Sequence, residues 1–513
     1  MTVYYVSPTG TDTQAGTLGQ PFGSLQHAHD IAKPGDEILM RGGVYRISTG
    51  IKLTNDGTSG QPITVANYPG EVPIIDGSGM TQGDDNGHAI TLNGANWTTL
   101  RGLEIRNAGG DGLLLNNASN NTIEQLNVHN NGRLSQWAGT GIAVYGTSSN
   151  NSIINNDSHD NQDLNLGNAD GFQISAGPGN VVRGNRAYNN SDDGFDFFNI
   201  DNGSNGSSVV IDGNWSFHNG YANGNQPGGD GNGFKLGGNR AGTGGTSGGH
   251  TVTNNMAWGN TQNGFDQNQA TNPSTLRNNT AYDNGAYNFS FSTLQNVFEN
   301  NLSLGSGRLV TSGSNTGNSW NLATPLGTSA VQSLDAATAE GARAADGSLP
   351  ATGFLALSGT NAGTLGATTV EVASSAATLP TADPTATAPA TATTQPTADT
   401  TTASVATPVA TPVATPVATA TPVATATDPV TLLTGDPNGY AAATPSASTD
   451  LVQGSRGGWH RAHGGWNAFA DTSSSAATIG TAPPQGTTAP TDPLHLLTGA
   501  QSGCSGFSHH RWS

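Results

Sequence analysis

The sequence has few charged residues and very few basic ones. Only 10% of its 513 residues are charged, and 17 Lys and Arg stand against 36 Asp and Glu, which gives a net charge of −19. The lysines are Lys33, Lys52 and Lys235. Proteins that bind nucleic acid need a basic surface, so this balance argues against nucleic acid as a partner.

Cysteine and long hydrophobic runs are also lacking. A single cysteine, Cys504, has no partner for a disulfide within the chain, so cysteine usage does not indicate a cellular compartment. No run of 18 apolar residues occurs, and we therefore expect no membrane-spanning helix. Glycine is abundant, with 72 residues, and because glycine costs about 1 kcal/mol inside a helix relative to alanine, a helical bundle is disfavoured.

Composition divides the chain into three segments. Residues 1–370 are rich in Gly and Asn and carry regularly spaced apolar residues, which predicts a folded domain. Residues 371–450 are rich in Thr, Ala and Pro and contain TPVA four times, so we expect a disordered, extended linker without a core. Residues 451–513 contain Gly, Trp and His and are predicted to form a disordered tail. The alternative for the segment RGGWHRAHGGWN is a small sugar-binding or metal-binding patch.

The first segment contains a repeat in rows of 22 to 41 residues. Rows with short strands and recurring asparagines are typical of a parallel β-helix, whose strands stack about 4.8 Å apart. Propeller blades need about 40 residues and four antiparallel strands, and most rows are too short for that. The asparagines form two columns, one at Asn156, Asn185, Asn214, Asn255 and Asn279 and one at Asn131, Asn161, Asn190, Asn219, Asn260 and Asn284.

Both ends of such a solenoid need a cap, since an open coil exposes unpaired strand edges. The segment Pro21–Asp36 predicts a short capping helix that begins near Ser24 and ends before Lys33. Residues from about 321 to 370 are expected to close the other end.

Each row also contains a strand with the pattern Gly-apolar-x-apolar, in which alternation places the x residue on the outer surface. Aligning these strands gives two columns of chemical interest. The residues before the glycine are Asp111, Thr140, Asp170, Asp193, Asn232 and Asn263, and the x residues are Leu114, Ala143, Gln173, Asp196, Lys235 and Asp266.

The alignment gathers Asp170, Asp192, Asp193 and Asp196 beside Lys235. Carboxylates packed together repel one another, and a hard cation relieves that repulsion. Ca²⁺ accepts 6–8 oxygen ligands, whereas Zn²⁺ prefers His or Cys, so the cluster favours calcium. An acidic, solvated surface is the alternative interpretation of the same residues.

Lys235 stacks on Asp196 in this alignment. A neutral lysine acts as a Brønsted base when its pKa falls from about 10.4 toward the working pH. A nearby calcium ion would lower that pKa, and the carboxylates would raise it. The alternative is a plain ion pair with Asp196 or Asp266.

The motifs NADGF, SDDGFDFF and NGFKLGG between residues 168 and 238 resemble the family-nine polysaccharide lyases, which include pectate lyases on right-handed parallel β-helices. The opening YYVSPTGTD and the later RAADGSLPATGFLAL are also similar to that family, so the resemblance covers residues 1–370. It implies an all-β, right-handed solenoid.

The resemblance also implies a site. Asp170, Asp192, Asp193 and Asp196 match the calcium-binding aspartates of the family, and Lys235 matches the base that takes the C5 proton of a galacturonate. The implied reaction is calcium-dependent β-elimination of an acidic polysaccharide, either pectate or rhamnogalacturonan.

Arg240 and Arg277 are candidates for binding substrate carboxylates in pairs of hydrogen bonds. We expect a secreted monomer, although no signal-peptide pattern opens this chain.

Three other function classes fit parts of the pattern. Asp192 and Asp193 resemble the paired acids of β-helical glycoside hydrolases, and uronate epimerases also begin by removing the C5 proton. A β-helical adhesin or glycan-binding protein would use the acids only to hold calcium. Lys235 distinguishes a lyase from a hydrolase and from an adhesin, since neither hydrolysis nor adhesion needs a lysine at that position. An epimerase differs from a lyase in giving neither cleavage nor an unsaturated product.

Overall fold

The computed structural model describes residues 1–200, 206–222, 226–239, 245–359 and 362–368. The predicted linker, 371–450, and the predicted tail, 451–513, lie outside these residues. The domain boundary at residue 370 therefore stays a prediction.

The chain winds through three parallel β-sheets, to which successive coils contribute one strand each, as the repeat predicts. The first sheet contains Val3–Val6, Glu37–Met40, Ile63–Asn67, Thr98–Arg101, Thr122–Glu124, Ser152–Ile154, Val181–Arg183, Val210–Asp212, Thr251–Thr253, Thr275–Arg277, Asn296–Glu299 and Gly313–Thr316. The second sheet contains Gly43–Arg46, Pro73–Asp76, Glu104–Arg106, Asn127–His129, Asp157–His159, Arg186–Tyr188, Trp215–Phe217, Met256–Trp258, Thr280–Tyr282 and Leu302–Leu304. The third sheet contains Ile51–Leu53, Ile90–Asn93, Leu113–Asn116, Ile142–Tyr145, Phe172–Ser175, Phe195–Asp196, Phe234–Lys235, Phe265–Asp266, Tyr287–Ser290 and Arg308–Val310.

The remaining elements are short. Tyr221–Ala222 and Gln226–Pro227 pair as an antiparallel hairpin, and Leu25–Ile31 and Ala337–Glu340 are α-helices. Among the described residues, none of the helices has the length and apolar content that a membrane span requires. Single 3₁₀ turns lie at Gly77–Gly79, Asp84–Asn86, Ser319–Asn321 and Thr328–Ala330.

The interior of the solenoid is filled by columns of like residues. In the third sheet, the first apolar position after the glycine becomes a stack of buried phenylalanine rings with centroids 4.7 to 5.0 Å apart. The spacing follows from the strand spacing, since each ring lies directly above its equivalent on the preceding coil. The stack consists of Phe172, Phe195, Phe234, Phe265 and Phe289.

The two predicted asparagine columns form buried hydrogen-bond ladders. Along both columns, each side-chain Nδ2 donates to the Oδ1 of the next asparagine at 2.9 to 3.0 Å. Each side-chain amide also forms hydrogen bonds with backbone groups at the bends of the chain. Asn185, for example, donates to Ile153 O at 2.9 Å and accepts from the backbone N of Asn156 at 2.9 Å. The ladders satisfy the polar backbone that the turns would otherwise bury unpaired.

Replacing Asn185 with alanine is expected to lower the free energy of unfolding by about 3 kcal/mol or more. The change leaves donors of Asn156 and a carbonyl of Ile153 buried without their partner. Denaturant unfolding measures the loss. Asn93→Ala is the matched control, because Asn93 is exposed and the change should stay within about 0.5 kcal/mol. Equal losses in the two variants would contradict the structural role of the ladder.

The N-terminal cap is the predicted helix. Ser24 is its N-cap and accepts a hydrogen bond from the His27 backbone N at 3.2 Å, and the helix ends at Ile31. Its buried face includes Leu25 and Ala28, which pack on the solenoid core. The helix therefore covers the first coil as expected.

The expectation that residues 321–370 close the far end is wrong for those of them that the structure describes. Trp320 packs against Phe289 and Phe298 at centroid distances of 5.3 and 6.3 Å, at the last coils of the interior. The following segment instead covers the outer face of the second sheet, where Phe354 lies 5.1 Å from Trp258. On its later coils that face is apolar, and burying it explains the course of the segment.

Arg343 fixes this segment to the solenoid. Its guanidinium donates to Asp157 Oδ1 at 2.9 Å, to Asn156 O at 2.8 Å and to Gly184 O at 3.0 Å. Asp157 also pairs with Arg186 at 2.7 Å. The contact joins residues that are 186 positions apart in the sequence.

Candidate active site

The third sheet brings the predicted columns into register. Gln173 pairs with Asp196, Asp196 with Lys235, and Lys235 with Asp266 on successive coils. The buried phenylalanines before these residues point inward, so the x residues lie on the outer face. The alignment made from the sequence alone is therefore the register of the fold.

Three of the predicted aspartates form a compact group. Oxygens of Asp170, Asp192 and Asp193 lie within 4.8 Å of one another, and all three side chains are buried. Asp193 Oδ1 accepts hydrogen bonds from Asn232 N at 2.6 Å and Asn232 Nδ2 at 2.9 Å, while Asp193 N donates to Asp170 Oδ1 at 3.0 Å. Asp193 Oδ2 is buried and lies 3.1 Å from Lys235 Nζ. We call these three residues the carboxylate group.

Burial and mutual repulsion make the carboxylate group costly to ionise. Burial, with repulsion from the neighbouring aspartates, raises the pKa of Asp170 and of Asp193 well above the ordinary value. Burial also raises the pKa of Asp192 to about 7. Three carboxylates whose oxygens lie within 4.8 Å of one another are a set of hard donors, which fits Ca²⁺ and does not fit a metal that prefers His or Cys.

Lys235 lies against this group. Its Nζ is 3.1 Å from Asp193 Oδ2, 3.4 Å from Asp196 Oδ2 and 3.1 Å from Asp230 Oδ2, and its side chain is 10% exposed. The Phe198 ring lies beneath it at 5.6 Å. Burial alone would lower the pKa of Lys235, but the charges of Asp193 and Asp196 outweigh burial and raise it well above the ordinary value.

Asp196 is separate from the carboxylate group. Its Oδ1 accepts from Phe198 N at 2.7 Å, and its Oδ2 accepts from Lys235 Nζ and from Gln173 Nε2, both at 3.4 Å. The Gln173 carbonyl oxygen in turn accepts a hydrogen bond from the Tyr145 hydroxyl, which orients the amide toward Asp196. The role of Asp196 as a calcium ligand stays a prediction.

Sequence reasoning missed Asp230. It belongs to the connection between Trp215–Phe217 and Phe234–Lys235, and its backbone N donates to Asp192 Oδ1. The available signal was GGDGNGFK, which places an acid five residues before Lys235. The aligned columns contain only residues at or next to strands, and Asp230 lies in a connection that follows no repeat.

Of the two predicted substrate arginines, the structure describes Arg277. Arg277 lies on the first sheet, where its guanidinium pairs with Glu299, so the structure does not bring it to the third sheet. Arg240 falls outside the described residues. Asp266 is next to Lys235 in the register, but among the described residues its carboxylate makes no ion pair with the lysine.

Residues 4–301 match the family model described as Pel9A-like, right handed beta helix region. The chain belongs to this Pel9A-like family. The match confirms the predicted right-handed parallel β-helix and the resemblance to the family-nine polysaccharide lyases. It covers the solenoid coils that carry the carboxylate group and Lys235.

Curated relatives of this Pel9A-like chain are pectate lyases by name. Pectate lyase PEL9 of Emericella nidulans is 35% identical, over 68% of this chain and 91% of the relative. Pectate lyase L of Dickeya dadantii is also 35% identical, over 71% of this chain and 86% of the relative.

Two solved structures resemble the Pel9A-like chain across its solenoid. The crystal structure of pectate lyase Pel9A is 34% identical with a TM-score of 0.61, and the match covers 70% of this chain and 90% of that one. A rhamnogalacturonan lyase is 25% identical with a TM-score of 0.60, covering 70% and 97% respectively. The protein is thus a polysaccharide lyase of the pectate lyase family, a carbon–oxygen lyase, and the hydrolase and adhesin hypotheses are set aside.

Proposed function

We propose that this enzyme cleaves a galacturonate-containing polymer by calcium-dependent β-elimination, with Lys235 as the base. One observation carries the proposal. Asp193 belongs to the carboxylate group and also lies 3.1 Å from Lys235 Nζ, so a candidate cation site and the buried lysine share a carboxylate.

The reaction requires a proton to leave a carbon atom. The C5 proton of a galacturonate is acidic because it lies next to the C6 carboxylate, and its removal builds an enolate-like dianion. Lys235 Nζ takes the proton, the C4–O bond breaks, and a C4–C5 double bond forms. The leaving oxygen takes a proton from solvent and becomes an alcohol, and Lys235 then releases the C5 proton to solvent. No water is added to the sugar, so the product is unsaturated.

The residues of the chain prepare this step. Asp170, Asp192 and Asp193 would hold the cation, and Asp196 positions Lys235 through its Oδ2. A bound Ca²⁺ would supply positive charge that stabilises the developing dianion and offsets the carboxylates that hold the Lys235 proton. Burial keeps water away from the amine, which strengthens these electrostatic effects.

Two substrates are compatible with this site. Pectate is favoured by the relatives named above, whereas the match to a rhamnogalacturonan lyase, at a TM-score of 0.60, supports the rhamnogalacturonan backbone as the second candidate. Both contain the galacturonate on which the proposed chemistry acts. Since such polymers do not cross a membrane, we propose that the enzyme is secreted and acts outside the cell. We propose also that it acts as a monomer.

Ultraviolet absorbance tests the proposed reaction. Elimination creates an unsaturated sugar that absorbs in the ultraviolet, whereas hydrolysis and epimerisation do not. With calcium present, we expect absorbance to rise on polygalacturonate or rhamnogalacturonan, and we expect a chelator to abolish the rise. Folded protein that produces no absorbance on either polymer would contradict the lyase proposal, and activity unaffected by the chelator would contradict its calcium dependence.

A further inference from the structure

Two apolar side chains stand exposed near the candidate active site. Trp137 is 65% exposed and Leu164 is 59% exposed, and apart from Met1 these are the most exposed large apolar residues in the described part of the chain. The two residues lie on successive connections that run from the second sheet to the third. The Leu164 backbone N donates to Ser135 O at 2.8 Å, so the two connections touch. Two highly exposed apolar side chains on connections that touch point to a binding surface.

The connection that carries Trp137 is held in a fixed conformation. Asp84 Oδ1 accepts hydrogen bonds from the backbone N of Gln136 and of Trp137, both at 3.0 Å. Ser135 Oγ accepts from Trp137 N at 3.2 Å and from Ala138 N at 2.7 Å. The indole is therefore presented on an ordered backbone, which reduces the entropy lost when a ligand binds.

The position of Trp137 relates it to the candidate active site. Its connection leads into the third-sheet strand Ile142–Tyr145, and the strand that carries Lys235 lies three coils further along the same sheet. Three strand spacings correspond to about 14 Å along the solenoid. Asn165 Nδ2 donates to Gln136 O at 2.7 Å, and the connection of Asn165 continues directly to Asp170. Trp137 and the carboxylate group thus lie along one edge of the third sheet.

We propose that Trp137, with Leu164 on the adjoining connection, is a binding platform for a pyranose ring of the substrate polymer, a few sugar units from the bond that is cleaved. The inference rests on the proposed function, because it assumes a polyuronate substrate that follows the solenoid past Lys235. A pyranose ring presents C–H groups on its flat face, and these pack on an indole. Such contacts suit an acidic polymer on a chain with a net charge of −19, because they do not depend on charge.

Kinetics on substrates of two lengths test the platform. Trp137→Ala is expected to raise KM for polygalacturonate about tenfold, with kcat within about twofold of the parent. A galacturonate trimer bound at Lys235 is too short to use a platform about 14 Å away, so its kcat/KM should not change. Trp137→Phe should keep most of the parent affinity. Val72→Ala is the matched control, because Val72 is 57% exposed on the connection between the first and second sheets.

A binding measurement separates this inference from the proposed reaction. In a Lys235→Ala background, affinity electrophoresis in gels containing polygalacturonate or rhamnogalacturonan should show about tenfold weaker binding after Trp137→Ala. Weaker binding together with an inactive parent would reject the lyase proposal and keep the platform. If the double variant binds polymer as tightly as Lys235→Ala does, or if neither protein binds polymer, the platform is overturned. A protein partner is then the remaining occupant. An equal rise in KM for the trimer would also overturn it.

Discussion

Replacing Lys235 with alanine is expected to lower kcat on polygalacturonate by about 10³-fold while the polymer still binds. The amine contacts the carboxylate group and Asp196 directly, and Lys33 and Lys52, the other two lysines, lie near the N-terminal cap and the first coils. The rate of absorbance increase at saturating calcium measures the effect. Thermal unfolding of the same variant reports whether the loss of the buried ion pairs also changes stability.

Two further variants separate a base from a positive charge. Lys235→Arg keeps the charge, but a guanidinium does not lose its proton near neutral pH, so this variant should be as inactive as the alanine variant. Lys52→Ala should retain parent activity, since Lys52 is an exposed lysine on the first strand of the same sheet. Near-parent activity of Lys235→Arg would show that the residue acts through charge and not as a base.

Asp193→Asn is expected to weaken calcium binding and to reduce activity at a fixed calcium concentration by about 100-fold or more. Asn has nearly the same shape and can still accept the hydrogen bonds from Asn232, but it lacks the charge that faces both the cation site and Lys235. Calorimetric titration with Ca²⁺ measures the affinity. Asp30→Asn, an exposed change on the capping helix, is the control and should bind calcium as the parent does. Unchanged calcium affinity of Asp193→Asn would remove the carboxylate group as the cation site.

Calcium affinity should also depend on pH. Burial raises the pKa of Asp192 to about 7, and a carboxylate binds calcium only after it loses its proton. Affinity should therefore increase between pH 6 and pH 8, with protons released on binding at the lower pH. Calorimetry in two buffers of different ionisation enthalpy counts those protons. An affinity that is the same at both pH values would contradict the role of Asp192.

The repeat made most of the fold predictable. Stacked coils repeat the same contacts, so an alignment of rows is already an alignment of strands in space, and the pairing of Asp196 with Lys235 followed from it. The asparagine ladders followed for the same reason, since each asparagine bonds to its own equivalent.

Features outside the repeat were not predictable in this way. Arg343 contacts Asp157 across 186 positions of the sequence, and no periodicity predicts that contact. Asp230 comes from a long connection, whose course depends on contacts such as the hydrogen bond from its backbone N to Asp192. The alignment of rows predicts the backbone position of a residue but not its side-chain rotamer. For this reason the sequence did not show that Asp196 lies apart from the carboxylate group.

Chemical rescue of Lys235→Ala tests the central claim most directly. With calcium and polygalacturonate present, the variant is given increasing concentrations of methylamine, and ultraviolet absorbance records elimination. If Lys235 removes the C5 proton, the rate should rise with the concentration of unprotonated amine, while Lys52→Ala should not respond. A variant that cleaves at the parent rate without amine, or that stays inactive at every amine concentration while binding polymer and calcium, would contradict the account.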